Sequence, residues 1–305
     1  MNTDIVRSIY SNCTLCPRVC QVNRYERAGF CGAGTKIKLA RAALHLWEEP
    51  CLSGSAGSGA VFFSNCTLKC IFCQNSDISS GGFGKEISVD RLSDIFLELQ
   101  DKGAANIDLI TGTHYVPSII AALDKVKHRI MIPVVFNCGG YESLDTLRLL
   151  DGYIDIYLPD LKYYDDETAV RLSAAPGYFA AALGAIGEMI RQTGSPVFSA
   201  DNDDGLLKKG VIIRHMVIPG MRKDSISLLD RLAETISTDR YIISLMSQYT
   251  PFYKAKDIPG INRRITSFEY DSVVDHAFKL GMKGFMQERS SAKEEYTPPF
   301  DLEGV

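Results

Sequence analysis

Short apolar runs alternate with stretches of helical period over most of the chain. "GAVFF" (59–63), "NIDLIT" (106–111), "IPVVFN" (132–137), "YIDIYL" (153–158), "GVIIRHMVI" (210–218) and "YIISLM" (241–246) read as six buried strands. Between them, "ISVDRLSDIFLELQDKG" (87–103) sets Leu92, Ile95, Phe96 and Leu99 on one face, with Ser88 as N-cap and Gly103 past the end, so it predicts a helix. Further helices are predicted over 117–127, 143–150, 178–192, 225–236 and 268–280, and "KGFMQE" (283–288) adds an edge strand. Repeated βα units imply a parallel sheet covered on both faces. The pattern alone allows an open doubly wound sheet or a partial barrel. "SPVFSADNDDG" (195–205) reads as a surface loop, and "SSAKEEYTPPFDLEGV" (290–305) as a poorly packed tail.

Composition narrows the function classes. A hydrophobic share of 46% in 305 residues is ample for a large core in one or two domains. The formal charge of -4, with Lys and Arg spread along the chain, offers no footprint for nucleic acid or an anionic membrane surface. The opening "MNTDIVRSIYSNC" has no apolar signal region, and no run approaches the roughly 18 apolar residues that span a bilayer. A cytoplasmic location is therefore expected. Thiols stay reduced there, so nine clustered cysteines read as metal ligands before disulfides.

"FFSNCTLKCIFCQN" (62–75) places Cys66, Cys70 and Cys73 directly after the first strand. Three thiolates on one loop hold three irons of a [4Fe-4S] cube and leave the fourth open to a ligand, whereas a structural zinc site wants four closed ligands. This C-x3-C-x-aromatic-C run, with Phe72 before the last cysteine, resembles the signature of radical S-adenosylmethionine (SAM) enzymes. The resemblance implies a (βα)6 partial TIM barrel carrying its chemistry at the C-terminal ends of the strands. It also implies SAM chelated at the open iron, reductive cleavage to a 5′-deoxyadenosyl radical, and an electron donor such as a flavodoxin or ferredoxin.

Residues just past the strand ends become site candidates on that reading. Thr111, Gly112 and Thr113 of "TGTHYVP" offer carbonyls to the SAM ammonium, and His114 stands where the family often has a Glu. Asn137 of "NCGGY" faces a ribose or carboxylate, and Cys138 beside it reads either as a hydrogen donor or as inert packing. Asp160 and Lys162 of "DIYLPDLKYY" resemble the D-x-K stretch of glycyl-radical activating enzymes, and two residues apart on an extended segment they point the same way. Arg214 of "GVIIRHMVIPG" presents a planar fork suited to the SAM carboxylate, with His215 facing the other way. In "MSQYTPFYKA", Gln248 or Tyr249 takes the adenosyl side.

Ahead of the barrel, Cys13, Cys16, Cys20 and Cys31 follow a C-x2-C-x3-C-x10-C spacing that suits a second metal site, either [4Fe-4S] or zinc. Cys51 lies between the two sets and is a candidate replacement ligand. From about Cys13 to Gln287 the chain resembles radical SAM homologues of pyruvate formate-lyase activating enzyme that carry extra N-terminal cysteines. The expected division is a cysteine-rich extension (1–58), the partial barrel (59–290) and the tail (291–305). The expected activity is hydrogen abstraction from a protein glycine. Alternatives are a small metabolite or peptide substrate, or a non-catalytic iron-sulfur or zinc protein that senses redox state or scaffolds a partner.

Overall fold

The computed structural model describes residues 3–200, 205–287 and 298–305. Helix α1 (Thr3–Ser11) leads through a cysteine-rich run of turns into strand β1 (Ile37–His45). The single turn α2 (Pro50–Ser53), β2 (Ser58–Phe63), the turn α3 (Ser76–Ser79) and β3 (Lys85–Ile87) follow. A βα rhythm then runs through α4 (Val89–Asp101), β4 (Ile107–Ile110), α5 (Val116–Val126), β5 (Val134–Cys138), α6 (Leu144–Leu149) and β6 (Ile156–Pro159). It continues with α7 (Asp166–Ser173), α8 (Tyr178–Thr193), β7 (Val197–Phe198), β8 (Leu207–Met216), α9 (Arg222–Thr235), β9 (Ile242–Met246), α10 (Ser267–Lys279) and β10 (Gly284–Met286).

The sheet order is β10-β9-β8-β6-β5-β4-β2-β1-β3, with every neighbour from β2 to β10 parallel and β1 antiparallel to β2 and β3. Its two ends do not pair, so the sheet curls into the expected partial barrel without closing. Side-chain alternation divides each strand. Val61, Leu109, Phe136, Tyr157, Ile213 and Ile243 pack outward under the helices. The alternate residues Val135, Ile156, Leu158, Ile212 and Ile242 form a separate inner cluster with Cys51 and Leu52, so α2 plugs the barrel from its N-terminal side. Asn106 Nδ2, just before β4, donates to Leu52 O at 2.9 Å and pins that plug.

Helix α4 forms as its sequence predicts: Ser88 Oγ accepts from Arg91 N at 3.0 Å, and Gly103 takes φ 84 past the end. Its Leu92, Ile95, Phe96 and Leu99 are fully buried, each contributing about 1.5–3 kcal/mol by leaving water. No single helix among the described residues is long and apolar enough to cross a membrane.

Two sequence expectations need correction. "SPVFSADNDDG" is not wholly loop, because Val197 and Phe198 pair with β8 as β7, while 201–204 lie outside the described residues. The tail is not loose over 298–305, while 290–297 lie outside the described residues. Leu302 N donates to Ala40 O at 3.1 Å and Ala42 N to Glu303 O at 2.8 Å, so this segment lines the edge of β1 that β3 leaves open. Arg41 pairs with Asp301 at 2.7 Å and also with Glu303, and Phe300 meets Phe62 edge-on at 5.5 Å. Gly304 needs its left-handed φ of 74 there, since a Cβ would strike Ala42 O.

Candidate active site

β2 delivers the three-cysteine loop to the C-terminal mouth of the barrel. Asn65, with φ 74, turns the chain out of the strand. Leu68 anchors the loop in the outer core, and Lys69 N and Ile71 N donate to Ser173 O and Leu172 O at 3.0 and 2.9 Å. Cys66, Cys70 and Cys73 all line one cavity of about 1150 Å³. Each sulfur has a hydrogen-bond partner: Leu68 N to Cys66 at 3.4 Å, Ser173 Oγ to Cys70 at 2.9 Å, and Ser79 Oγ beside Cys73 at 3.3 Å. Burial raises all three thiol pKa values, that of Cys66 to about 12. The thiolate form therefore needs nearby positive charge, which a metal supplies.

Opposite the loop, the inward residues of successive strands build a polar wall. Asp160 Oδ1 accepts from Arg214 Nε at 3.0 Å and Oδ2 pairs with Lys162 Nζ at 2.5 Å. Burial pushes the Asp160 carboxyl up, but the two cations outweigh it and hold it below the usual carboxylate range. Arg214 Nη2 also donates to Asn137 Oδ1 at 2.7 Å, and Asn137 Nδ2 reaches Asp108 Oδ2 at 3.4 Å. Phe72, Thr111, Asn137, Asp160, Lys162, Arg214, Gln248 and Tyr249 share the cavity with the cysteines. Thr111 holds a left-handed φ of 63 at its edge.

Three of the candidates do not reach it. Gly112, Thr113 and His114 lie in the short 3-10 turn that precedes α5 and sit behind the cavity wall: the Gly112 backbone packs against Ile119, and Thr113 Oγ1 donates to Glu142 at 2.9 Å. His114 Nε2 is bonded to Ser64 O at 2.9 Å, and burial drives its pKa down to about 3, so it is a neutral structural ring. His215 is likewise held by Leu161 O at 2.7 Å, on the outward side expected for it. Cys51 lies in the barrel plug, away from both cysteine sets.

Cys13, Cys16, Cys20 and Cys31 are brought together by a compact loop. Cys13 N donates to Val22 O at 3.1 Å and Gln21 N to Cys13 O at 3.0 Å. A Cβ on Gly29 would lie 3.4 Å from Cys20 Sγ and 3.6 Å from Cys31 Sγ, so both sulfurs face the same small void. Burial raises Cys16 to about 12, with Cys31 and Cys13 adding to the rise. Among the described residues no three His, Cys, Asp or Glu side chains converge on a single-ion position. A cubane asks something different of its donors, one thiolate on each iron.

Sequence reasoning missed the acids at the inner end. Glu48 Oε2 lies 3.7 Å from Arg214 Nη1, and buried Glu49 accepts from Ser244 Oγ at 2.8 Å. Asp108, fully buried on β4, is pushed well above the usual range by burial and by Glu48. The signal was a charged residue inside the apolar run "NIDLIT", together with the paired acids of "LWEEP".

A partial α/β barrel with a thiol loop at the mouth and an ionic wall across from it defines the class. The family model described as the radical SAM superfamily matches residues 60–233, and the chain belongs to that superfamily. An uncharacterized protein of Methanocaldococcus jannaschii is 31% identical over 295 residues, covering 92% of this chain and 79% of the relative. Methylornithine synthase (PylB) superposes with a TM-score of 0.51 at 14% identity, over 94% of this chain and 71% of that one, which is a likeness of fold. SuiB of Streptococcus suis, bound to its precursor peptide SuiA, gives 0.49 at 14% identity, over 73% of this chain and 46% of its own. The chain thus spans about half the length of that structure. Membership implies an iron-sulfur cluster and SAM, and the donor set fits them: three half-buried thiols with hydrogen-bonded sulfurs on one polar cavity.

Proposed function

We propose that Cys66, Cys70 and Cys73 hold the [4Fe-4S] cluster and that the wall facing them holds SAM. A cluster there supplies the electron that cleaves the sulfonium to methionine and a 5′-deoxyadenosyl radical, which abstracts hydrogen from a substrate. The observation carrying this reading is the shared cavity, whose ~1150 Å³ exceeds the roughly 300–1000 Å³ of one small-ligand site and leaves space beside the nucleotide. On this reading Arg214 and Lys162 take the carboxylate, Asp160 and the Thr111 carbonyl the ammonium, and Phe72 and Gln248 the adenosyl side. A substrate filling the remaining space would exclude water from the radical.

The substrate reading follows the glycyl-radical activating enzymes, whose D-x-K stretch Asp160 and Lys162 resemble. The sheet's unpaired ends, β3 and β10, leave the barrel open on one side, and the cavity, lined in part by Trp47 and Phe285, gives a protein loop a way in. A small metabolite is the second reading, favoured by Glu48 and Glu49 at the inner end, where a cationic group would be matched. A non-catalytic protein would need the cluster site closed by a fourth ligand, and Cys51, the candidate for it, lies in the plug. Cys13, Cys16, Cys20 and Cys31 form a second metal centre on this reading, and of the two groups considered, [4Fe-4S] and zinc, the cluster suits them better, because no three of these side chains converge on a single-ion position. The nine cysteines are unpaired, and on this reading the enzyme works in the reducing cytoplasm with a flavodoxin or ferredoxin as donor.

The test is conversion of SAM to 5′-deoxyadenosine by the anaerobically reconstituted, reduced protein. Wild type is expected to turn over. Cys70→Ala is expected to lose turnover and about four irons while keeping the metal of the first four cysteines. A fully loaded wild-type cluster without turnover would sink the proposal. Deuterium passing from a labelled candidate substrate into 5′-deoxyadenosine separates protein from metabolite.

A further inference from the structure

The N-terminal cysteine block and the Cys66–Cys73 loop are fastened directly to each other. Arg18, between Cys16 and Cys20, reaches out of the block: Nε donates to Thr67 O at 2.7 Å and Nη2 to Ala174 O at 2.6 Å. Its guanidinium lies 3.7 Å over the Phe30 ring and 5.4 Å from that of Tyr141, which fixes the direction of the fork. From the opposite side Lys69 Nζ donates to Cys31 O at 3.4 Å. Thr67 directly follows Cys66, and Lys69 directly precedes Cys70. Ala174 follows Ser173, whose hydroxyl donates to Cys70 Sγ at 2.9 Å. Contacts from the block therefore bracket two of the three cluster thiols.

The block is also held under strain. Val19 and Gln21, on either side of Cys20, take left-handed φ values of 43 and 52. Such conformations cost on the order of 1–3 kcal/mol each and persist only when something else over-determines them. Four thiols closing on one centre would do so, and Cys20 Sγ and Cys31 Sγ both lie beside Gly29.

We propose that a metal centre on Cys13, Cys16, Cys20 and Cys31 clamps the SAM-cluster loop, with Arg18 as the positioning residue that carries its occupancy to the backbone beside Cys66. This rests on the second metal centre of the preceding section. With the centre filled, the loop around Cys20 is rigid, Arg18 keeps its register, and the Thr67 and Ala174 carbonyls are fixed. With it empty, Val19 and Gln21 relax, the fork leaves its two carbonyls, and the cluster thiols lose their outer support.

The experiment uses the full chain, anaerobically reconstituted, as wild type, Arg18→Met, Arg18→Lys and Cys16→Ser/Cys31→Ser. Iron, sulfide and zinc are counted first, and circular dichroism checks the fold. The readouts are the rate of iron release to a ferrous chelator and the electron paramagnetic resonance (EPR) spectrum of the reduced cluster with and without SAM. Cys70→Ala gives the trace of the second centre alone. Arg18→Met is expected to keep the second centre's metal yet release SAM-cluster iron about tenfold faster, as outer-shell changes do. Cys16→Ser/Cys31→Ser should lose the second metal and show the same acceleration, with Arg18→Lys, which keeps one donor, between. A Cys16→Ser/Cys31→Ser protein with wild-type release rate and spectrum overturns the clamp. Wild type holding only about four irons and no zinc removes the second centre and the clamp with it. A SAM-dependent EPR change in that same sample shows that the SAM site itself stands.

Discussion

Replacing Glu142 by Gln isolates one buried titration. The residue follows β5, is 1% exposed, accepts from Thr113 Oγ1 at 2.9 Å on Oε1, and has the Cys138 thiol against its carboxyl. No N–H or O–H among the described residues reaches Oε2. Burial, only partly offset by Thr113 and Cys138, raises its pKa to about 7. An acid raised by folding binds its proton more tightly in the native state, so the native state is penalised once the unfolded carboxyl ionises. The penalty begins as pH passes the ordinary value near ~4.3, grows by about 1.4 kcal/mol per pH unit, and levels above pH 7. Its plateau is about 3.7 kcal/mol, with about 2.5 kcal/mol of that arising between pH 5 and 8. Gln keeps the shape and the acceptor for Thr113 and never ionises. The stability of Glu142→Gln relative to wild type should therefore rise by about 2.5 kcal/mol from pH 5 to pH 8. Urea unfolding of both proteins at matched metal content, followed by circular dichroism at four pH values, gives the difference and cancels titrations they share. A difference that stays flat, or falls with pH, would refute the reasoning.

Two further changes probe the wall and the edge. Arg214→Lys keeps the charge but cannot serve Asp160 and Asn137 together, so SAM affinity should drop at least about tenfold by equilibrium dialysis; unchanged affinity removes Arg214 from the SAM site. Deleting residues 298–305 strips the outer edge of β1, so the thermal midpoint should fall by at least about 4 °C and the Ala42 amide should exchange faster. An unmoved midpoint would mean that this strap adds nothing to the fold.

The local features were open to reading from the chain itself. Period-two and period-3.6 patterns located the six barrel strands and the helices α4, α5, α6, α8, α9 and α10, because burial on one or both faces leaves its repeat in adjacent residues. Three thiols within eight positions, and Asp160 two residues from Lys162, meet through local geometry alone. β1 left no such trace. Its Ala-rich "IKLARAALH" has little strand propensity, and it extends only because β2 on one side and β3 with residues 298–305 on the other complete its hydrogen bonds.

Barrel curvature decided the rest. It turned Asp108, Asn137, Asp160, Arg214 and Ser244, from five different strands or strand ends, onto one inner surface. It also drew Glu48 and Glu49 in with the plug. His114 was diverted to Ser64 O, and Arg18 was set on the backbone beside Cys66, 49 positions away. Spacing along a chain fixes which neighbours share a face, whereas contacts across such separations depend on the burial energy of the whole barrel, which no short window of sequence contains.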